Sequence, residues 1–285
     1  MADSTGQADI RGLNVTKTVT GFALQEYVFK QLCIVQKTSA WQDRYFQETA
    51  ADLTGGLGEA VEGVPRLAAF PYGEVSFTQQ NSYMKKHAME TRISWEDAKT
   101  NDVDVIARSL LRIARAIAKS VDAEIWDVIT EGRAVVNINL CPAKGIWATS
   151  TNSPVQDILS GCTLIANQNY NPQKGGYLCV NPNNYKDLVQ WLVETKGASI
   201  PQYASDKIVN GKVAELLGLT VLVSPSVTAG FAAIVISKEA ATWKSVQDLT
   251  VRTLEDAGIG YTVRAWEIGA CQLKNPKAVC LLSGT

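Results

Sequence analysis

One histidine, His87, stands in 285 residues, and that scarcity closes off several chemistries. An H-E-x-x-H zinc site needs two histidines on one helical face. A Ser-His-Asp relay would have to be assembled around His87, and no G-x-S-x-G nucleophile elbow is present to supply the serine. The G-x-G-x-x-G dinucleotide fingerprint and the acidic D-x-D-x-D-G calcium loop are both missing. Gly55, Gly56 and Gly58 crowd a short stretch, but no Lys-Ser/Thr pair follows them, so they mark a loop rather than a phosphate cradle. The six cysteines never pair as C-x-x-C and lie in apolar runs, the pattern of buried reduced thiols. No apolar run approaches the ~20 residues of a membrane-spanning helix. The opening MADSTGQADIRGLN lacks a basic-then-apolar signal pattern. The expectation is a protein made in a cytoplasm, with no cofactor, no metal and no membrane partner. Lys and Arg number 27 against 28 Asp and Glu, so no global field draws the chain to nucleic acid, and such contact would have to be local.

What is present is an ordinary globular composition, 46% hydrophobic and 19% charged. The chain is organised around Asn101–Glu131. Val103, Ile106, Leu110, Ile113, Ile117, Val121, Ile125 and Val128 recur at three- and four-residue steps, the helical period. Ala107, Leu111, Ala114, Ala118 and Ile129 widen the stripe. Neither Pro nor Gly interrupts it. At ~1.5 Å per residue the rod would be roughly 45 Å long. Thr100 and Asn101 are N-cap candidates, Asp102 and Asp104 suit the positive end of the helix dipole, and Gly132 suits a left-handed C-terminal residue.

Elsewhere the elements are shorter. Residues 1–20 are polar and aperiodic and read as a mobile arm. Gly21–Leu32 fits a short helix, and Leu32–Val35 and Arg44–Gln47 fit strands. Residues 49–63 read as a glycine-rich loop. Residues 64–80 and 83–94 alternate loosely, as the two strands of a long hairpin. Such a ribbon has little core of its own and needs something to lie against. Ser94-Trp-Glu-Asp97 resembles a capping box. After the long helix, strands are expected at Ala134–Leu140, Gly145–Thr149, Gly176–Val180, Leu219–Val223, Ala232–Ser237, Ile259–Leu273 and Ala278–Leu282. Helices are expected at Pro154–Gln168, Tyr185–Thr195 and Lys212–Leu217, with a further short element at Leu249–Asp256.

One charged constellation stands out. Arg108, Arg112, Arg115 and Lys119 step by four, three and four, so they share one face of the long helix. A solvated face partly matched by Asp104 and Asp122 would explain them. So would a stripe facing phosphates or a neighbour's acidic patch. Two carboxylates meeting in space, as in a glycosidase, stay open on residues alone.

The order of parts resembles a known family. ETRISWEDAKTNDVDVIARSLLRIARAIAKSVDAEIWDVITEG looks like the run from a hairpin strand into the spine helix of tailed-bacteriophage major capsid proteins, the Hong Kong 97-type capsid fold shared with encapsulins. GGYLCVNPNNYKDLVQWL, LLGLTVLVSPSVTAGFAAIVISKEAATW and YTVRAWEIGACQLKNPKAVCLL look like its later strands and helices. The likeness covers the chain from about residue 25. It implies an α+β fold with an N-terminal arm (1–37) and an extended hairpin loop (38–95). It also implies a peripheral domain (96–175 and 248–285) carrying the spine helix 101–131, and an axial domain (176–247). It implies a structural protein, not an enzyme: many copies, as pentamers and hexamers, form an icosahedral viral head around double-stranded DNA. Portal, decoration and separate scaffolding proteins are further implied partners, and the virion is the implied location. Arg108, Arg112, Arg115 and Lys119 would then line the interior. An encapsulin shell around a cargo enzyme is the alternative within the fold, and a soluble α+β enzyme the alternative outside it.

Overall fold

In a computed structural model, the structure describes residues 17, 19–21, 23, 26–48, 64–70, 77–100, 103–148, 153–193, 215–256 and 258–285. The glycine-rich loop at 49–63, the cap candidate Asn101 and the dipole-end Asp102 lie outside them, and nothing is described of the side chains of Thr100 and Asp104.

The long helix forms, as α2 (Val103–Ile129), after a short α1 (Trp95–Thr100). Ser94 caps α1 by accepting the Asp97 N–H at 3.0 Å. Leu110, Ile113, Ile117, Val121 and Ile125 are at most 4% exposed, so the apolar stripe is core. Past Ile129 the chain turns around one carboxylate. Glu131 Oε2 accepts the N–H groups of Val136 and Asn137 at 2.7 and 2.8 Å, and Oε1 accepts from Asn137 Nδ2. This nest curls the chain through left-handed Glu131, Gly132 and Arg133, with φ of 50°, 60° and 69°. It also explains a miss. The strand expected at Ala134–Leu140 begins only at Asn139, because the N–H groups of 136–138 point to Glu131 instead of a neighbouring strand.

The strands β1 (Cys33–Lys37), β2 (Gln42–Glu48), β3 (Phe77–Tyr83), β4 (Lys85–Ser94), β5 (Asn139–Pro142), β6 (Gly176–Val180), β7 (Glu215–Leu216), β8 (Leu219–Val223), β9 (Phe231–Ile236), β10 (Ala241–Asp256), β11 (Gly260–Leu273) and β12 (Val279–Ser283) form three sheets. One has the order β1-β10-β11-β4, and α2 packs on its β4 and β11. The second runs β5-β12-β9-β6-β8-β7, with α3 (Pro154–Ala166) across β12, β5 and β9. A Cβ at Gly161 of α3 would come within 2.8 Å of Ile234 Cδ1, so glycine permits that close approach. α4 (Pro182–Trp191) opens on an Asn181 cap and buries Leu188 and Trp191. One buried apolar cluster runs from Val19 to Leu282 and joins both larger sheets.

The third sheet is a ribbon of β2 and β3 only, and here the pairing differs from expectation. The long hairpin was expected between 64–80 and 83–94. Instead β3 pairs antiparallel with β2, and β4 pairs antiparallel with β11. Met84 alone separates β3 from β4, too little chain to reverse direction as a hairpin turn does. The ribbon leans on its own subunit. The Glu48 N–H donates to Lys274 O, and Gln272 Nε2 donates to Asp43 Oδ2.

Smaller differences have local causes. Glu215 and Leu216, expected in a helix, pair with β8 across a two-residue turn, Leu217 and Gly218, both at positive φ. Leu249–Asp256 is the far half of the sixteen-residue β10. The strand expected at Gly145–Thr149 does not form over 145–148. Val19, within the stretch expected to be mobile, is helical and fully buried. The six-stranded sheet joins Asn139–Pro142 and Val279–Ser283 to the strands of 176–236, across the expected domain boundaries.

Ile117→Asp would place an unpaired carboxylate where the side chain is 1% exposed. The expected cost exceeds about 4 kcal/mol. Circular dichroism and a thermal melt of the soluble fraction check this. Soluble Ile117→Asp protein with the parent melting temperature would show that this face is not core.

Candidate nucleic-acid face and subunit contacts

The sequence-derived stripe survives as geometry. Arg108, Arg112, Arg115 and Lys119 are all exposed on α2, on the side away from the buried stripe. At 100° per residue they fall within a sector roughly 60° wide and span roughly 16 Å of helix. Among the described residues only Arg115 has an ion-pair partner, Glu26, with Nε 2.8 Å from Oε1. Surface pairing of that kind contributes little, so the guanidinium remains available to a stronger anion.

Asp122, expected to help neutralise the stripe, is 3% exposed and is spent elsewhere. Its Oδ2 and Oδ1 accept the N–H groups of Val28 and Phe29 at 2.9 and 3.0 Å. Desolvation pushes its carboxyl up to about 6, against the pull of those two N–H groups and of Lys30. Glu267 of β11 holds the same segment from the other side, accepting from Tyr27 O–H at 2.6 Å and from Lys30 Nζ. Phe29 stacks on Trp126 of α2 with ring centroids 6.0 Å apart. A shallow cavity of about 220 Å³ opens beside the stripe, between Arg115, Lys119 and the Ser224–Ser226 turn. The sequence carried no signal for Asp122's part, because its partners are backbone groups some ninety positions away.

His87 lies in β4, not in the ribbon, and is 8% exposed. The six cysteines are unpaired thiols, and Cys162 alone is not fully buried. Burial pushes Cys162 up to about 11 and raises Cys179 and Cys280 as well, so these thiols are poor nucleophiles.

The ribbon supplies a different surface. Trp41, Phe46, Phe77 and Tyr83 are each more than half exposed. Phe46 and Phe77 meet edge to face at 6.4 Å. Leu67 and Phe70 are exposed as well. Clustered exposed aromatics of this size mark a contact surface.

The architecture is a long helix packed on a four-stranded sheet, a second sheet sharing its core, and a two-stranded ribbon with exposed aromatics. Solved structures share it. The chain matches the virus-like particle from Pyrococcus furiosus at 12% identity and TM-score 0.65, covering 96% of this chain and 100% of that one. It matches the capsid of the cyanophage P-SCSP1u at 13% and 0.63, covering 99% and 92%. It matches the mature capsid of bacteriophage PhiM1 at 10% and 0.62, covering 90% and 86%. At such identities the likeness is one of fold, and the fold is the α+β Hong Kong 97-type capsid fold. A family model described as phage capsid protein matches residues 79–282, more than half of the chain, and the chain belongs to that family. It is a structural protein of the virion, a major capsid protein. No curated protein matches it.

The raised Asp122 carboxyl has a consequence for stability. Its folded-state value, about 6, lies above the ordinary 3.8, so the folded protein binds this proton more tightly. The resulting contribution is complete below pH 3.8 and is lost as pH rises through about 6. It amounts to at most about 3 kcal/mol. Relative to Asp122→Asn, the parent protein should therefore be more stable at pH 4.5 than at pH 7, measured by denaturant titration. A stability difference that does not change with pH would contradict this.

Proposed function

We propose that many copies of this chain, arranged as pentamers and hexamers, close into an icosahedral head around double-stranded DNA, with the α2 stripe facing the packaged genome. The observation that carries the reading is the stripe: cations on one exposed face of a helix whose opposite face is core, with only Arg115 matched by an acid among the described residues. DNA phosphates release counterions when they meet such a surface, with no demand on base sequence. A net charge of −1 keeps this attraction local to the stripe.

In this reading 96–175 and 248–285, which carry α2, form the peripheral domain, and 176–247 the axial domain at the pentamer and hexamer centres. β5 and β12 tie the two together. The ribbon and the segment beyond it, within 38–95, form the extended loop, its aromatic side laid on a neighbouring subunit. Residues 1–37 form the N-terminal arm. The subunits are made in the host cytoplasm, with portal, scaffolding and decoration proteins as separate chains. Closed symmetry lets individually weak contacts hold the shell. A shell around a protein cargo, as in encapsulins of the same fold, is the second reading.

The test replaces Arg108, Arg112, Arg115 and Lys119 together by Gln. Shells should form in normal yield, because these side chains are exposed. Their DNA content should fall, read by absorbance at 260 and 280 nm. Binding of the variant to duplex DNA should also show a shallower dependence on salt. Unchanged DNA content and an unchanged salt slope would remove the stripe from this role.

A further inference from the structure

His87 is the protein's single imidazole, and it sits at the joint where the strand that follows the ribbon meets the spine helix. Its Nε2 lies 2.7 Å from Glu124 Oε2, and its Nδ1 lies 2.8 Å from Ser120 Oγ. Both partners belong to α2, one turn apart. An ionised carboxylate only accepts, so Nε2 carries a proton toward Glu124 and Nδ1 takes the Ser120 hydroxyl proton. The neutral ring is thereby satisfied at both nitrogens. Ser120 lies inside the helix, where neighbouring N–H groups are committed to the helical ladder and supply no oxyanion hole, so the arrangement is not that of an acyl-transfer site.

A second proton changes the contact without moving an atom of the ring. Nδ1–H then donates to Ser120 Oγ, whose hydroxyl rotates away, and Nε2–H to Glu124 becomes a charge-assisted bond between buried groups. Other titratable and charged groups lie around the joint. Lys85 of β4 reaches Glu124 Oε1 at 3.6 Å, but its side chain is 64% exposed and its charge is screened by water. Glu267 of β11 is the cross-strand partner of His87, and its carboxylate is taken by Lys30 and Tyr27. Asp122 of α2 is taken by the Val28 and Phe29 N–H groups. Cys271 of β11 is a buried thiol, beside Cys33 of β1. Trp243 of β10 places its ring centroid 6.2 Å from the imidazole. Two carboxylates, Glu124 and Glu267, and two ammonium groups, Lys30 and Lys85, thus surround the joint, and Glu124 alone bonds the imidazole.

We propose that His87 is a proton-operated clamp between β4 and α2 that tightens when the ring takes up its second proton. Met84 alone separates β4 from β3, and its N–H is bonded to Trp41 O across the root of the ribbon. Fastening β4 therefore sets the place at which the ribbon leaves the body of the subunit. The clamp is a property of the folded subunit and stands whether or not the stripe meets DNA.

The experiment is amide hydrogen exchange over residues 85–94 at pH 7.5 and 5.5, corrected for intrinsic exchange rate, on full-length protein held in one assembly state. His87→Gln keeps a donor for Glu124 and an acceptor for Ser120 but cannot become charged. Protection in the parent protein should rise at least threefold at the lower pH, and in His87→Gln it should stay level. If His87→Gln does not fold, Glu124→Gln serves as the uncharged partner, with the same level response expected. Nitrogen-15 NMR of the one imidazole in the parent protein reads the tautomer directly, and Nε2–H is expected at pH 8. Equal pH responses in parent and variant, protection that falls on acidification, or an Nδ1–H tautomer would each overturn the clamp.

Discussion

Burial of one face of α2 is the constraint on which the remaining structure depends. Leu110, Ile113, Ile117, Val121 and Ile125 are removed from water as α2 packs on β4 and β11 and joins the common apolar core. At ~1.5–3 kcal/mol for each large side chain, this face offsets much of the entropy lost in ordering the rod and what lies against it. Once that face is fixed, helical geometry fixes the opposite one, and Arg108, Arg112, Arg115 and Lys119 are turned outward as a set. Core and basic surface are two consequences of one periodicity.

Buried carboxylates do the joining around that rod. Asp122, Glu124 and Glu267 are each at most 8% exposed, and each has hydrogen-bond partners from a distant part of the chain. Asp122 and Glu267 seat residues 27–30 from opposite sides. Glu124 fastens β4. Glu131, less buried, turns the chain out of the helix through three consecutive N–H groups. A buried carboxylate left without partners is costly, so each of these contacts is specific about which segment arrives and in what register.

Much of this was legible in the residues. The period from Val103 to Val128 announced α2 nearly to its ends, and Gly132 marked its stop. The four-residue steps of the cations announced their shared face. What stayed hidden was partnership at a distance. The alternation in 64–94 suggested strands but could not say that β4 belongs with β11, some 170 positions later, or that β3 belongs with β2. The apolar run after Ala134 has strand composition, yet Glu131 captures its N–H groups first. Leu217 and Gly218 form a hairpin turn where the local pattern favoured a helix. Asp122 looked like a surface counter-charge, because nothing near it in sequence names the backbone groups it receives.

The central claim is that this subunit closes into shells, and particle mass tests it most directly. Multi-angle light scattering on the size-exclusion eluate, with negative-stain images of the same fractions, compares the assembled state with the 30.9 kDa chain. The account predicts closed, uniform particles of megadalton mass. A single species at the mass of one chain, unchanged by raising protein concentration or adding a crowding agent, would contradict it.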